Sequence, residues 1–213
     1  HQVFTKKKGL VMSQALYGFS GLRFWNEQEI ETREMAITAL SRTVKDTLTG
    51  MNAAWHFSRW EGPLLTPQAY ISSAYDEKDV FVTEATMGGR HLVLRPETTA
   101  SSYCVLKELT RTQKWARPPV CVWQAGKSFR RERSDGASAN KLRFKEFYQL
   151  EFQCLYADGT KADYMKTILG AISVQIGKLT NKTTRIVSSD RLPAYSEETW
   201  EVAGPYRYNN LWT

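Results

Sequence analysis

The feature that most constrains the fold is a pair of long extended segments joined by a polar loop. The first segment runs from Val120 to Arg131, and the second runs from Phe144 to Tyr156. Between them, Arg133 to Lys141 is built from small and polar residues. Two runs of β-branched and aromatic residues around such a loop predict a pair of neighbouring strands. The chain therefore needs a sheet that can hold two long strands side by side.

Helical periodicity marks two other segments, and a proline marks a third. From Asn26 to Thr49, apolar residues recur at steps of three, four and seven, with Asn26 suited to cap this helix and Gly50 suited to end it. Lys161 to Leu179 repeats apolar residues every four positions. Pro96 suits the first turn of a further helix. Its residues expected to face inward are Tyr103, Leu106 and Leu109.

Short strands complete the predicted architecture. Trp55 to Arg59 alternates like a strand, and Thr183 to Ser188 is the last strand predicted. Val80 to Thr83 and His91 to Leu94 are expected to form a hairpin. Strands arranged in hairpins, with helices between them, predict an α+β fold with an antiparallel β-sheet flanked by helices. We expect one domain over residues 1–213.

Composition limits the class of protein and suggests a kind of partner. The 213 residues are 42% hydrophobic and 12% aromatic, which excludes a disordered chain. The formal net charge is +7, and such an excess favours a polyanionic partner such as nucleic acid or nucleotides. Charge alone is equally compatible with a basic protein that has no such partner, because it constrains association rather than function.

The cysteines and histidines indicate no disulfide framework and no metal site. Cys104, Cys121 and Cys154 are odd in number and form no CxxC pair, so we expect reduced, buried thiols. The three histidines are scattered along the sequence. No apolar run approaches the length of a membrane span, and the N-terminal residues contain no hydrophobic signal core. Cytosolic localisation, without a membrane, is therefore the default expectation.

Four residues around the polar loop carry the clearest chemistry. Arginine forks such as Arg130 and Arg143 bind phosphate oxygens in bidentate fashion. The carboxylate of Glu132 can accept a hydrogen bond from an adenine amino group, and the ring of Phe147 can stack on a base. A surface hairpin with its charges in water is the alternative for an isolated Arg-x-Glu pair. The ordered set of four favours a nucleoside triphosphate site.

Three segments in order resemble the class II aminoacyl-tRNA synthetases. Phe129-Arg130-x-Glu132, followed by the loop and Arg143-x-x-x-Phe147, resembles their motif 2, which covers about 120–156 here. Phe57-x-x-Trp60-x-x-Pro63, after a long helix, is similar to motif 1, which covers about 26–67 and forms the dimer interface in the family. Leu94 to Thr99 resembles the amino-acid recognition segment of class IIa.

Within the class, the glycyl enzymes are the most similar. Lys7 to Leu10 and Leu16 to Gly18 are similar to their N-terminal segment. Leu94 to Thr98, Gly126 to Glu132 and Glu146 to Glu151 are similar to their counterparts as well. Threonyl, prolyl and histidyl enzymes share parts of these patterns. The resemblance thus implies a homodimeric ligase with glycine as the preferred amino acid.

The resemblance also implies a role for each matching residue. Arg130 would hold the α-phosphate of ATP and the attacking carboxylate, Glu132 the adenine amino group, Arg143 the γ-phosphate and Phe147 the adenine ring. The residues implied for binding the amino acid are Glu97, Thr98, Gln149 and Glu151. Glu97 can also be read as an ordinary acid at a helix N-terminus, and Glu151 as part of a salt bridge within the sheet.

The resemblance extends to partners and cofactors. ATP and Mg²⁺ are implied, with the metal ion sharing the phosphate charge. The polar loop touches the tRNA acceptor end in the family, which implies weak contacts at Arg133, Ser134 and Lys141. A solvent-exposed hairpin turn is the equally good alternative for this loop.

A third signature of the class, the glycine-rich motif 3 with its ATP-binding arginine, has no match in these residues, and neither does an anticodon-binding domain. The C-terminal part is therefore expected to be incomplete or divergent. Three explanations stay open: a partial sequence, a minimal enzyme that uses another cation, or a synthetase-like protein without aminoacylation. The sequence favours ATP-dependent formation of an aminoacyl-adenylate and aminoacylation of tRNA. The alternative is a module that binds nucleic acid or a protein.

Overall fold

A computed structural model of the chain describes residues 22, 24–71, 74–87, 90–133, 143–156, 161–189 and 196–205. The helices within these residues are α1 (Glu27–Met51), α2 (Thr99–Thr112) and α3 (Lys161–Thr180), with 3-10 helices at Gln68–Tyr70 and Glu77–Asp79. The strands are β1 (His56–Arg59), β2 (Leu65–Pro67), β3 (Phe81–Met87), β4 (Arg90–Leu94), β5 (Val120–Phe129), β6 (Glu146–Leu155), β7 (Arg185–Ser188) and β8 (Trp200–Ala203).

The described strands form three sheets, with the orders β1-β5-β6, β2-β4-β3 and β7-β8. The pairs β2–β4, β3–β4 and β7–β8 are antiparallel. The pair β1–β5 is parallel, with His56 opposite Val120 and Arg59 opposite Trp123. Sheets rich in antiparallel pairs, accompanied by helices, confirm the predicted α+β class. The parallel pair was not predicted, because residues 60–119 separate its strands and a pattern within each strand carries no information on direction.

The chain packs into two compact units. The first contains His1–Ile30, Gly62–Ser101 and Ala125–Gln149, and the second contains Glu31–Glu61, Ser102–Gln124 and Leu150–Thr213. Strands β5 and β6 and helices α1 and α2 each contribute residues to both units. That residues 1–213 act as one domain stays a prediction.

The first unit has a small core beside the β2-β4-β3 sheet. Ile71, Val80 and Val93 are buried, and Tyr75 and Ala100 pack against them. The predicted hairpin is confirmed, since β3 pairs with β4 and Phe81 lies opposite Leu94. This hairpin leads directly into the segment 95–98, which carries several of the predicted site residues.

A buried arginine joins three segments of the first unit. Arg95 is 2% exposed; its Nε donates a hydrogen bond to the carbonyl of Lys127 over 2.7 Å, and its Nη1 donates to the carbonyl of Gly62 over 2.8 Å. Gly126 leaves room for this guanidinium, because a Cβ at that position would overlap Arg95 Nη2. A buried cation is stabilised by such carbonyl acceptors, and the Arg95 side chain thereby ties the end of β4 to β5.

The second unit buries both faces of β5. On one face, Cys121 packs with helices α1 and α3, which contribute Val44, Leu48 and Tyr164. On the other face, the alternate residues Val120 and Val122 pack with Leu106 and Leu109 of α2. The first four residues of the strand, Val120 to Trp123, are all apolar, as expected where helices cover a strand on both sides.

The helix ends follow the capping rules. Asn26 Oδ1 accepts a hydrogen bond from the backbone N–H of Glu29, and Glu29 Oε2 accepts from the N–H of Asn26, which confirms the predicted cap as a reciprocal capping box. Helix α1 runs through Gly50 to Met51, slightly beyond the predicted end. Helix α3 is followed by Asn181 in the left-handed region, with φ 52°, a conformation that asparagine tolerates.

Some predictions about individual positions were wrong. Tyr103 was expected to face inward but is 59% exposed, because the buried stripe of α2 runs through Ser102, Leu106 and Leu109 instead. Cys104 was expected to be buried and is exposed. Strands β2 and β8 were not predicted. None of the three described helices has the length and apolar character needed to cross a bilayer.

Candidate active site

The end of β5 is held from two sides by backbone hydrogen bonds. The N–H of Phe129 donates to the carbonyl of Arg95 over 2.9 Å, and the N–H of Arg130 donates to the carbonyl of Lys145 over 2.9 Å. The next N–H, that of Arg131, donates to the carbonyl of Asp79 over 2.9 Å. Three consecutive donors thus bind three different segments, which fixes the backbone that carries Arg130.

The Arg130 side chain lies between polar and aromatic partners. Its Nη2 donates to the hydroxyl of Tyr75 over 3.0 Å, and its Nε donates to the carbonyl of Pro96 over 3.3 Å. The guanidinium carbon lies 5.1 Å from the ring centre of Phe147 and 5.6 Å from that of Tyr75. Both distances fall within the range of cation–π attraction. The structure therefore brings the predicted phosphate ligand and the predicted adenine-stacking ring into contact.

Tyr75 connects Arg130 to Glu97. Its hydroxyl donates to Glu97 Oε2 over 2.8 Å while it accepts from Arg130 Nη2. Glu97 precedes the first residue of α2 by two positions, as an acid near a helix N-terminus does, but it also belongs to this side-chain network. Sequence reasoning missed Tyr75, because Ala74-Tyr75-Asp76 matches no motif and the hydroxyl is brought to Glu97 by packing alone.

Glu132 and Arg143 form an ion pair across the ends of the polar loop. Arg143 Nη1 lies 3.7 Å from Glu132 Oε2, and the two side chains are 55% and 26% exposed. Contacts this exposed contribute roughly 0–1 kcal/mol, so a stronger ligand for either partner can replace them. The predicted adenine ligand and the predicted γ-phosphate ligand are therefore neighbours, as the strand–loop–strand pattern required.

The predicted amino-acid ligands are divided between the two units. Glu97, Thr98 and Gln149 belong to the first unit, together with the four ATP-site residues, whereas Glu151 belongs to the second. Gln149 Oε1 accepts a short hydrogen bond from the hydroxyl of Ser128, which is fully buried. The amide of Gln149 is therefore oriented by a residue that sequence reasoning did not single out.

Thr98 and Glu151 have local partners. Thr98 is fully buried, and its carbonyl accepts from the hydroxyl of Ser101 over 2.9 Å. Glu151 Oε1 accepts from Gln153 Nε2 over 2.6 Å. Among the predicted tRNA contacts, Arg133 is described and exposed, while Ser134 and Lys141 lie outside the described residues.

The sequence matches a known family and individual curated proteins. Residues 27–198 match the family described as tRNA synthetases class II core domain (F). The histidine–tRNA ligase of Anaplasma phagocytophilum (strain HZ) is 33% identical over 110 residues, which make up 47% of this chain and 24% of that protein. The glycine–tRNA ligase of Geobacillus kaustophilus (strain HTA426) is 30% identical over 135 residues, 62% of this chain and 29% of that protein. The matches thus span less than a third of each relative.

Solved structures show the same fold. Prolyl-tRNA synthetase from Cryptosporidium parvum, complexed with halofuginone and AMPPNP, has a TM-score of 0.68 at 13% identity, over 88% of this chain and 37% of that chain. Giardia lamblia prolyl-tRNA synthetase in complex with prolyl-adenylate has a TM-score of 0.65 at 16% identity, over 92% of this chain and 40% of that chain. The family match covers most of the chain, and the fold agrees with it. The chain therefore belongs to the class II tRNA synthetases, whose core domain it carries.

Proposed function

We propose that this chain uses ATP to activate an amino acid as an aminoacyl-adenylate and takes part in aminoacylation of tRNA. The observation that carries the proposal is the contact between Arg130, Phe147 and the Tyr75–Glu97 pair. Within one unit, this contact brings together a cation that can bind phosphate, a ring that can stack on a base and a carboxylate that can bind an ammonium. The prolyl-adenylate bound to the Giardia lamblia neighbour supports the same chemistry.

The reaction needs orientation and charge stabilisation rather than a protein nucleophile. The carboxylate of the amino acid attacks the α-phosphorus of ATP, the bond to the β-phosphate oxygen breaks, and pyrophosphate leaves. Arg130 would bind the α-phosphate and the attacking carboxylate, so its charge opposes the charge that develops in the transition state. Glu132 and Arg143 would exchange their mutual contact for adenine and the γ-phosphate. Mg²⁺, bound mainly through phosphate oxygens, would share the charge of the leaving group.

For the amino acid, we propose glycine as the preferred substrate. The N-terminal and motif 2 segments resemble the glycyl enzymes, and the glycine–tRNA ligase of Geobacillus kaustophilus supports this preference. The histidine–tRNA ligase of Anaplasma phagocytophilum makes histidine the main competitor. Glu97, Thr98 and Gln149 would bind the substrate ammonium, since a buried cation requires paired acceptors. Glu151 is the fourth residue that the resemblance implies for the amino acid. The exposed Arg133 would contact the tRNA acceptor end.

Amino-acid-dependent exchange of labelled pyrophosphate into ATP tests the proposal. We would assay all twenty amino acids separately, with and without tRNA, and compare wild type with Arg130→Ala. Exchange with glycine alone, lost in Arg130→Ala and retained in the exposed control variant Arg117→Ala, is the expected result. Exchange with histidine or proline instead would overturn the glycine preference and leave adenylate formation standing.

A second candidate function is a synthetase-like module that binds nucleic acid or a protein without activating an amino acid. The formal net charge of +7 favours it, because such an excess suits a polyanionic partner whether or not an amino acid is activated. Absence of exchange with every amino acid, in a folded protein that still binds ATP, would favour this candidate over the first.

A further inference from the structure

The position of Tyr75 is fixed by packing and by the short 3-10 helix that follows it. Its ring packs against the buried side chains of Ile71, Val80 and Val93. On its C-terminal side, Asp76 and Asp79 form a reciprocal capping box around the short 3-10 helix, and the carbonyl of Asp79 accepts from the N–H of Arg131. A side chain fixed in this way can orient its neighbours, since its own position does not change freely.

The hydroxyl of Tyr75 has one proton and two acceptor lone pairs, and its contacts with Arg130 and Glu97 each have a defined direction. A guanidinium can only donate, so the contact of 3.0 Å runs from Arg130 Nη2 to the hydroxyl oxygen. An ionised carboxylate can only accept, so the contact of 2.8 Å runs from the hydroxyl to Glu97 Oε2. The chain of donors therefore leads from the cation through one hydroxyl to the anion.

We propose that Tyr75 is a positioning residue that couples the amino-acid site at Glu97 to the phosphate site at Arg130. The proposal rests on the proposed function for the identity of the two ligands. An ammonium bound to Glu97 draws charge from the carboxylate, so the hydroxyl is polarised less and becomes a weaker acceptor for Arg130. Arg130 keeps this contact, which fixes the guanidinium, and directs its other N–H groups toward the α-phosphate and the substrate carboxylate. Hydrogen bonds linked in series influence one another in this manner.

Tyr75→Phe isolates the hydroxyl, because the ring keeps its packing and its place beside Arg130. We expect kcat for pyrophosphate exchange to fall about tenfold to a hundredfold, the range for loss of a hydrogen bond to a charged group. KM for ATP and for the amino acid should change less than about threefold, and Tm should fall by no more than about 4 °C, as expected for one lost hydrogen bond. The matched control is Tyr70→Phe, because Tyr70 is 58% exposed and lies five residues away. An unchanged kcat, or a loss of kcat explained by unfolding at the assay temperature, would overturn the proposal.

A binding experiment tests the coupling without catalysis. Isothermal titration calorimetry with Mg²⁺–ATP would measure Kd for wild type, Tyr75→Phe, Glu97→Gln and the double variant. Repulsion between Glu97 and the phosphates acts in both backgrounds and cancels in the double-mutant cycle. We expect Glu97→Gln to change Kd at least about threefold more when Tyr75 is present than when it is replaced. Strict additivity would contradict the proposal.

The two experiments separate the possible failures. Coupled ATP binding without any exchange would remove the proposed function and leave the role of Tyr75 standing. Pyrophosphate exchange together with an additive double-mutant cycle and an unchanged kcat in Tyr75→Phe would support the proposed function and remove the role of Tyr75. A folded protein that binds ATP in no variant would overturn both.

Discussion

At the scale of single residues, a buried pair of cysteines in the second unit makes the stability of the protein depend on pH. Cys121 on β5 is fully buried, and Cys154 on β6 packs against the same cluster. A hydrogen bond with Cys154, together with burial, raises the pKa of Cys121 far above its ordinary value of 9.0. Burial raises the pKa of Tyr156 next to them as well. The folded state therefore favours the protonated, neutral forms of Cys121 and Tyr156.

The raised pKa of Cys121 predicts a loss of stability at alkaline pH. The folded state keeps the thiol proton while the unfolded chain releases it, so the contribution is fully present below about pH 9 and falls as the pH rises further. The expected loss is about 1.4 kcal/mol per pH unit above 9 for this group. Urea unfolding at several values between pH 8 and pH 10.5 measures it.

Alanine variants of two cysteines provide the comparison. Cys121→Ala should reduce the alkaline slope, whereas Cys104→Ala should keep it, because Cys104 is exposed. Only slopes are compared, so the cavity left by removing the Cys121 side chain has no effect on the result. Identical slopes in the two variants would show that the Cys121 proton is not linked to folding.

At the scale of single elements, the junction between β4 and β5 depends on Arg95 and Gly126. Gly126→Ala would place a Cβ against the Arg95 guanidinium, which is held by the carbonyls of Lys127 and Gly62. We expect a loss of about 1–3 kcal/mol in the free energy of unfolding, because the buried cation must give up acceptors or shift the strand. Urea denaturation of the variant measures this loss.

Gly170→Ala is the control for Gly126→Ala. Gly170 lies in the interior of α3, and a Cβ there meets no other atom within 4 Å. Alanine should therefore stabilise the protein by about 1 kcal/mol through helix propensity. If Gly126→Ala were as stable as wild type, the Arg95 side chain would not be fixed in the arrangement described.

The elements that could be predicted from sequence are those whose pattern is long and local. Strands β5 and β6 and helix α1 follow from apolar runs and from the Asn26 cap. Tyr103 was expected to face inward, but the buried position belongs to Ser102, whose hydroxyl accepts from Gln124 Nε2 over 2.6 Å. A polar pair of this kind depends on two distant segments, and no spacing in the sequence indicates it.

The residues of the candidate site also divide into those that a local sequence pattern predicts and those that it does not. Arg130, Glu132, Arg143 and Phe147 follow from a pattern within one strand–loop–strand segment, and the structure brings them together. Tyr75 lies 55 residues from Arg130 in sequence, and its contact depends on how residues 71–80 pack. Sequence reasoning found the residues that a motif carries and missed the one that tertiary packing supplies.

At the scale of the whole molecule, the resemblance predicts a homodimer through motif 1, where several apolar side chains are exposed. On α1, Met35 is 62% exposed, and in the segment that follows β1, Trp60 and Leu64 are 40% and 46% exposed. These positions fall within motif 1, the region for which the resemblance implies a dimer interface. Homodimer interfaces bury apolar surface of this kind. We therefore predict association of two chains through this region.

Light scattering after size-exclusion chromatography tests the predicted dimer. Wild type should have about twice the chain mass of 24.4 kDa, and Met35→Glu should shift the mass toward that of a single chain, because it would bury a charge in the interface. Val174→Glu is the matched control, since Val174 is 59% exposed on α3 and lies outside motif 1. A monomeric wild type at micromolar concentration, or equal masses for wild type and Met35→Glu, would exclude an interface on this face of α1. Loss of exchange activity together with the dimer in Met35→Glu alone would further show that the site depends on association.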